Sequence, residues 1–442
     1  MSESSGVRVV AGLVSESLPV LPVARRPVLP SLTGARWWAA FAVFILHALV
    51  FLPVYPFQKS ELFRRIHQQF LPMQLGAAGV TFFFVLSGFI IYWSFLPGSS
   101  VVRYCWRRIL KIYPTHFAAM ALFILAASVP LSRFVVWVPN LFLIHTWVPR
   151  WSMLGGLNVP AWSLCAEIVF YLTFPLFLPA VRRVRQERLL GWAGVILLFI
   201  AALHLAFHLW APGPQGTENA FAPRLQPGDT SPEFELHASP LWFVQPEIPI
   251  SPAYWLSYYF PLARLPEFYL GVLAARMVEA GRWRTTRLRL PLTALVLAYV
   301  ATWFVPVSFK MSVLMLAPMT AVIATLAAKD LRGVPSVNAS ALMVWLGNIS
   351  FAFYLVQFPV MVVITRFLIA GGSYGGIGWL GWSTLCLVVA MSIGAAVYRW
   401  LDEPLMRRFA GRRQVRNPAS DAGARLAPIV VLDIQSRGGA AR

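Results

Sequence analysis

Charge is scarce in this chain. Only 12% of its 442 residues are Asp, Glu, Lys or Arg, about half the share found in a soluble globular domain, and this excludes most soluble architectures. Acidic residues are the scarcer kind, with 17 Asp and Glu against 37 Lys and Arg and a formal net charge of +20. Cysteine is nearly missing. Cys105, Cys165 and Cys386 are odd in number and lack ligand spacing, so neither a disulfide framework nor a bound metal is expected. What abounds is apolar: 58% of residues are hydrophobic, and they run in long blocks rather than amphipathic stripes.

A block of about 20 apolar residues crosses the hydrocarbon core as a helix. The blocks predict an all-α, polytopic membrane protein, a bundle of about ten transmembrane helices. They fall near 36–56, 75–96, 113–132, 160–181, 190–211, 256–278, 290–306, 311–328, 345–369 and 378–400. Residues 134–149 are apolar but short and split by Pro139. They predict a re-entrant or interfacial segment, with a further span as the alternative.

Basic residues cluster in alternate connections: Arg25 and Arg26, Arg103 to Lys111, Arg182 to Arg188, Arg282 to Arg289, Lys329 and Arg332, and Arg407 to Arg413. Positive connections stay on the cytoplasmic side, which predicts both termini inside and the long 212–255 connection outside. Lys59, Arg64 and Arg65 break the alternation. Short basic clusters between apolar blocks also argue against a nucleic-acid partner, which would require one basic face on a soluble domain.

Residues 1–35 contain apolar runs interrupted by Ser15, Glu16 and prolines from Pro19 onward. A secretory leader has a continuous apolar core, so a disordered cytoplasmic tail is expected instead. A second such tail is expected over 411–442, with a membrane domain over 36–404 between them. No internal repeat is visible.

Ionisable side chains within spans are costly and mark functional candidates. His47 sits in the middle of the first span, eleven residues after Arg36. Eleven residues are just over three turns, so both side chains share one stripe about 16 Å apart. A packing histidine with an anchoring arginine is the alternative. Glu167 follows Trp162 and Ser163 near the outer end of the fourth span, where a carboxylate must be paired, protonated or facing water. Glu267 lies in the sixth span one turn after Arg264, with Pro266 between them, as an internal ion pair or a site. Glu403 ends the last span at its basic end, where pairing with arginine is expected.

Gly76, Gly79, Gly88 and Ser87 open a bulky span, either for helix packing or for close approach of a ligand. Arg103, Arg107, Arg108 and Lys111 precede Tyr113. That cluster suits a polyanionic ligand, though a bare charge run is more often a topology signal.

The motifs, in their order, resemble the membrane-bound acyltransferase-3 family. They are Arg36 with His47; Gly76 to Phe89 (GAAGVTFFFVLSGF); Arg103 to Pro114 (RYCWRRILKIYP); Trp162 to Tyr171 (WSLCAEIVFY); Pro266 to Gly271 (PEFYLG); Leu346 to Val356 (LGNISFAFYLV); and Glu403-Pro404. The resemblance spans Arg36 to Glu403. Two places depart from the family pattern: its Glu-Glu pair is here Glu167-Ile168, and a common histidine is here Gln357.

The resemblance implies a multi-pass enzyme of the bacterial inner membrane that moves an acyl group, acetyl by expectation, from acyl-CoA to a hydroxyl. A surface or secreted glycan, or a glycolipid, is the expected acceptor, and a small molecule such as a macrolide is the alternative. His47 would be the general base, assisted by Glu167. Arg36, Arg103, Arg107, Arg108, Lys111, Tyr113, Ser87, Trp162, Ser163, Arg264 and Glu267 would bind substrates. No bound cofactor or appended hydrolase domain is expected, and transfer is direct rather than through an acylated Ser87 or Cys165. A transporter or flippase is the competing class, though transporters often show inverted repeats.

Overall fold

The computed structural model describes residues 26–52, 54, 56–57, 60–65, 74–95, 100–129, 132, 134–211, 250–369 and 372–409. The expected outer loop, apart from 250–255, most of the expected N-terminal tail and all of the expected C-terminal tail lie outside these residues. The chain is all-α, and among the described residues eight helices are long and apolar enough to cross a membrane.

The main helices are α1 (Pro30–Phe51), α2 (Gln74–Ser94), α3 (Val101–Ala127), α4 (Phe134–Leu141), α5 (Trp162–Arg183) and α6 (Leu189–Trp210), then α7 (Leu265–Glu279), α8 (Arg289–Ala301), α9 (Val313–Leu331), α10 (Ala341–Ile364) and α11 (Gly376–Val397). The first helix begins at Pro30, not Arg36. Proline suits the first turn of a helix because its missing N–H would be unpaired there anyway. The new end is fixed by Ser31, whose N–H and hydroxyl both donate to the Asp330 carboxylate (2.9 and 2.6 Å).

Two expected spans are not long continuous helices. Residues 256–278 form a π-helical turn over Trp255–Tyr259, a tight turn over Pro261–Arg264 and only then α7. Pro261 cannot donate the bond that would continue a helix through it. Residues 290–306 form the shorter α8, closed by a tight turn over Thr302–Phe304.

The helices alternate in direction. Trp93 Nε1 donates to Pro27 C=O (3.0 Å), joining the start of the chain's first helix to the end of α2. Arg276 donates to Val184 C=O (2.9 Å), joining the ends of α7 and α5. These ends make up the basic end of the bundle. At the other end Arg366 donates to Ala126 C=O (2.7 Å), and Trp379 to Ala48 C=O (3.3 Å).

Two helix crossings are drawn tight by glycine. A Cβ on Gly88 of α2 would stand 1.8 Å from Phe268 C=O, and one on Gly271 of α7 would stand 1.8 Å from Val85 C=O. Gly34 of α1 and Gly347 of α10 form a second such contact: a Cβ on Gly34 would stand 1.9 Å from Asn338 C=O, and one on Gly347 would stand 1.9 Å from Thr33 C=O. Small residues admit this approach, and dispersion between backbones then holds the helices together.

The segment after α3 is too short to cross. The eight residues of α4 extend about 12 Å. They fold back against the middle of α3, where Asn140 C=O meets His116 Nε2 at 2.8 Å. Asn158 then donates to Leu355 C=O in the middle of α10 (2.9 Å). The segment therefore inserts into the bundle, as its length and proline predict.

Candidate active site

Arg36 lies two turns into α1, half-buried. It is within electrostatic range of Glu167 and Tyr171 of α5, and of Tyr398 and Asp402 at the end of the last helix. Glu167 is also half-buried. One of its oxygens accepts from Tyr171 Oη (2.7 Å) one turn further along α5, and Arg108 and Lys111 of α3 add their charge to its surroundings. Four helices thus converge on one polar cluster in the basic half of the bundle.

The α3 cations enter it unequally. Arg108 lies over the rings of Tyr104 (5.5 Å) and Tyr171 (5.7 Å), a cation–π arrangement, and donates to Ser94 Oγ (3.3 Å). Lys111 Nζ stands 3.7 Å from Asp402 and 5.1 Å from the centre of the Phe351 ring. Arg107 is half-buried and its Nε has no partner among the described residues. Arg103 is exposed at the helix start. Tyr113 turns away, donating to Phe142 C=O (3.4 Å) in the inserted segment.

His47 sits further up α1, 6% exposed. Its ring meets Phe51 and Phe358 edge-on, with centroids 5.6 and 6.4 Å away. It therefore packs inside the bundle rather than against lipid. Its Nδ1 is buried and has no hydrogen-bond partner among the described residues. Gln357, beside Phe358, donates to Tyr354 C=O (3.0 Å), and its own buried oxygen has no hydrogen-bond partner among the described residues. A neutral imidazole with a bare nitrogen retains the capacity to take one proton.

Trp162 and Ser163 fix the start of α5. The Trp162 ring packs on Tyr258 (4.6 Å), Tyr259 (5.0 Å) and Phe84 (6.1 Å), and Ser163 Oγ lies 3.0 Å from Tyr354 Oη of α10. They hold the helix that carries Glu167. Ser87 is half-buried on α2. The glycines of that helix serve packing.

Arg264 and Glu267 lie apart from this cluster. They form an ion pair at 3.0 Å with both side chains fully buried. Arg264 also donates to Thr81 Oγ1 (3.0 Å), Ser312 Oγ (3.2 Å) and Ser257 C=O (3.3 Å). These bonds tie α2 and the start of α9 to the broken helix, while the arginine's Nε has no hydrogen-bond partner among the described residues. Glu403 pairs with Arg399 (3.0 Å) and Arg407 (2.7 Å) along its own helix, as expected. Cys165 is buried, with its sulfur 3.5 Å from His145 Nδ1. No group of three or more potential metal ligands occurs among the described residues.

Asp402 is the residue the sequence pattern concealed. It is 2% exposed and accepts from the Thr115 hydroxyl of α3. The one signal for it was the Asp-Glu doublet before Pro404, of which the motif names the other member, Glu403.

A family model described as an acyltransferase domain, of the acyltransferase-3 type, matches residues 29–400. The chain belongs to the acyltransferase-3 family. This acyltransferase is 34% identical over 418 residues to the acyltransferase MdmB of Streptomyces mycarofaciens, covering 90% of this chain and 97% of that one. It is 29% identical over 147 residues to nodulation protein 10 of Rhizobium leguminosarum bv. viciae, covering 29% of this chain and 38% of that protein. No solved structure matches. The chain is a multi-pass membrane acyltransferase.

Proposed function

We propose that this acyltransferase moves an acyl group, acetyl first, from acyl-CoA to a hydroxyl of a surface or secreted glycan, at the bacterial inner membrane. One observation carries the proposal. Arg36 lies on the same stripe of α1 as a buried imidazole whose Nδ1 has no partner among the described residues, and Arg108 and Lys111 of α3 join it in a half-open group of cations.

Phosphate oxygens match the guanidinium fork and the ammonium charge. The cations would hold the CoA phosphates at the basic end, taken as cytoplasmic, and the pantetheine arm would run along α1 toward His47. There the acceptor oxygen attacks the thioester carbonyl while His47 removes the hydroxyl proton. The tetrahedral adduct then collapses, the carbon–sulfur bond breaks, and the imidazolium returns its proton to the departing CoA thiolate. No acylated enzyme forms. Glu167, hydrogen-bonded to Tyr171, would orient acceptor hydroxyls or the donor's amide groups.

Supplying labelled acetyl-CoA to membranes that contain the protein tests this. Label in an extractable glycan supports it. Label in a small hydroxylated molecule such as a macrolide keeps the chemistry and replaces the acceptor. Uptake without any acylated product would favour a transporter.

A further inference from the structure

The last helix contains a π-helical turn over Tyr398–Asp402. One extra residue per turn is a costly irregularity that recurs at functional sites. Its effect here is to bring Tyr398 and Asp402 into range of Arg36, while the next residue, Glu403, stays on the arginine-lined face. One Asp402 oxygen is tied to Thr115. The other has no hydrogen bond among the described residues and stands 3.7 Å from Lys111 Nζ.

Lys111 is thereby fixed without being consumed. The Asp402 carboxylate lies on one side and the Phe351 ring face on the other, yet 27% of the lysine side chain stays exposed. Its carboxylate neighbour is too distant for a good hydrogen bond, so among the described residues that contact does not use up the ammonium's donors. Thr115 is one turn after Lys111 on α3, so Asp402 grips both positions of that face.

We propose that Asp402 is a positioning residue for the donor site: it holds the Lys111 ammonium beside Arg36, aimed at the phosphates of the acyl donor. The inference rests on the donor reading given above. It makes a prediction opposite in sign to simple charge counting. Removing a buried negative charge next to a cation cluster should tighten anion binding through Coulomb attraction. Losing the lysine's fixed geometry should weaken it.

The test measures binding of acetyl-CoA, and of dephospho-CoA as the probe lacking one phosphate, to the full-length protein in detergent, with thermal unfolding recorded alongside. Asp402→Asn is expected to weaken acetyl-CoA binding roughly tenfold, as coupled neighbours do. Asp402→Glu should restore most of the affinity, and Asp402→Asn should add little once Lys111→Met is present. Unchanged or tighter binding by Asp402→Asn, in a protein that unfolds at the wild-type temperature, overturns the inference. If that variant is unstable, the comparison of Lys111→Met with wild type decides, since an unaltered affinity there leaves Asp402 nothing to position. Arg36→Ala separates the two ideas. Full affinity in Arg36→Ala ends the donor reading itself, whereas a loss there with none in Asp402→Asn ends only the role of Asp402.

Discussion

A polar atom left without a partner in a protein interior costs about 1–3 kcal/mol, and among the described residues His47 Nδ1 has none. Retaining it in an apolar wall of Phe51 and Phe358 makes sense for a group that must accept a proton from an arriving ligand. Arg36 is its counterpart, half-open and facing other charges at long range. Arg36→Ala should weaken the half-saturation for acetyl-CoA by tenfold or more, the worth of a charge-assisted hydrogen bond, with turnover at saturation far less affected; initial rates over a donor series check this. Ser87→Ala and Cys165→Ala, made together, should keep turnover of the wild-type order, because direct transfer needs no enzyme nucleophile; a trapped acyl-enzyme in the wild type would contradict it. The spacing of Arg36 and His47 was readable in the chain because a regular helix converts eleven residues into one stripe. Asp402 was not, because a π-helical turn shifts which residue faces inward and leaves no mark in composition.

The elements owe their arrangement to close crossings and to one buried ion pair. Gly88→Val puts side-chain atoms where Phe268 C=O already stands. It should destabilise the protein by about 1–3 kcal/mol, the usual cost of overpacking, read as a lower unfolding temperature in detergent. Arg264→Met leaves Glu267 charged and alone in the interior. Breaking a buried pair costs about 3–5 kcal/mol, whereas replacing both partners with apolar groups can be nearly neutral. Arg264→Met should therefore be poorly folded, and adding Glu267→Leu should rescue stability; no rescue would mean the arginine serves more than its partner. The sequence showed that these two residues lie one turn apart. It did not show that Thr81 and Ser312 accept from the guanidinium, because those partners are far away along the chain. The break in the helix before Arg264 was signalled by Pro261, yet apolar content across 256–278 masked it.

At the scale of the whole molecule, antiparallel helices gather the basic connections at one end, and the cation cluster opens on that half. The alternation was legible because arginine follows topology, and the motif order was legible because each motif sits on its own helix. The convergence of α1, α3, α5 and the last helix around Glu167 was not, since no local pattern records which distant helices meet. In the proposed mechanism the imidazole on α1 removes the acceptor's proton. The most direct measurement is the initial rate of acetyl transfer from labelled acetyl-CoA in membranes carrying matched amounts of wild-type and His47→Ala protein. A loss of about 10²–10⁴-fold in turnover, with acetyl-CoA still bound, is the predicted result. Wild-type turnover in His47→Ala would contradict the account.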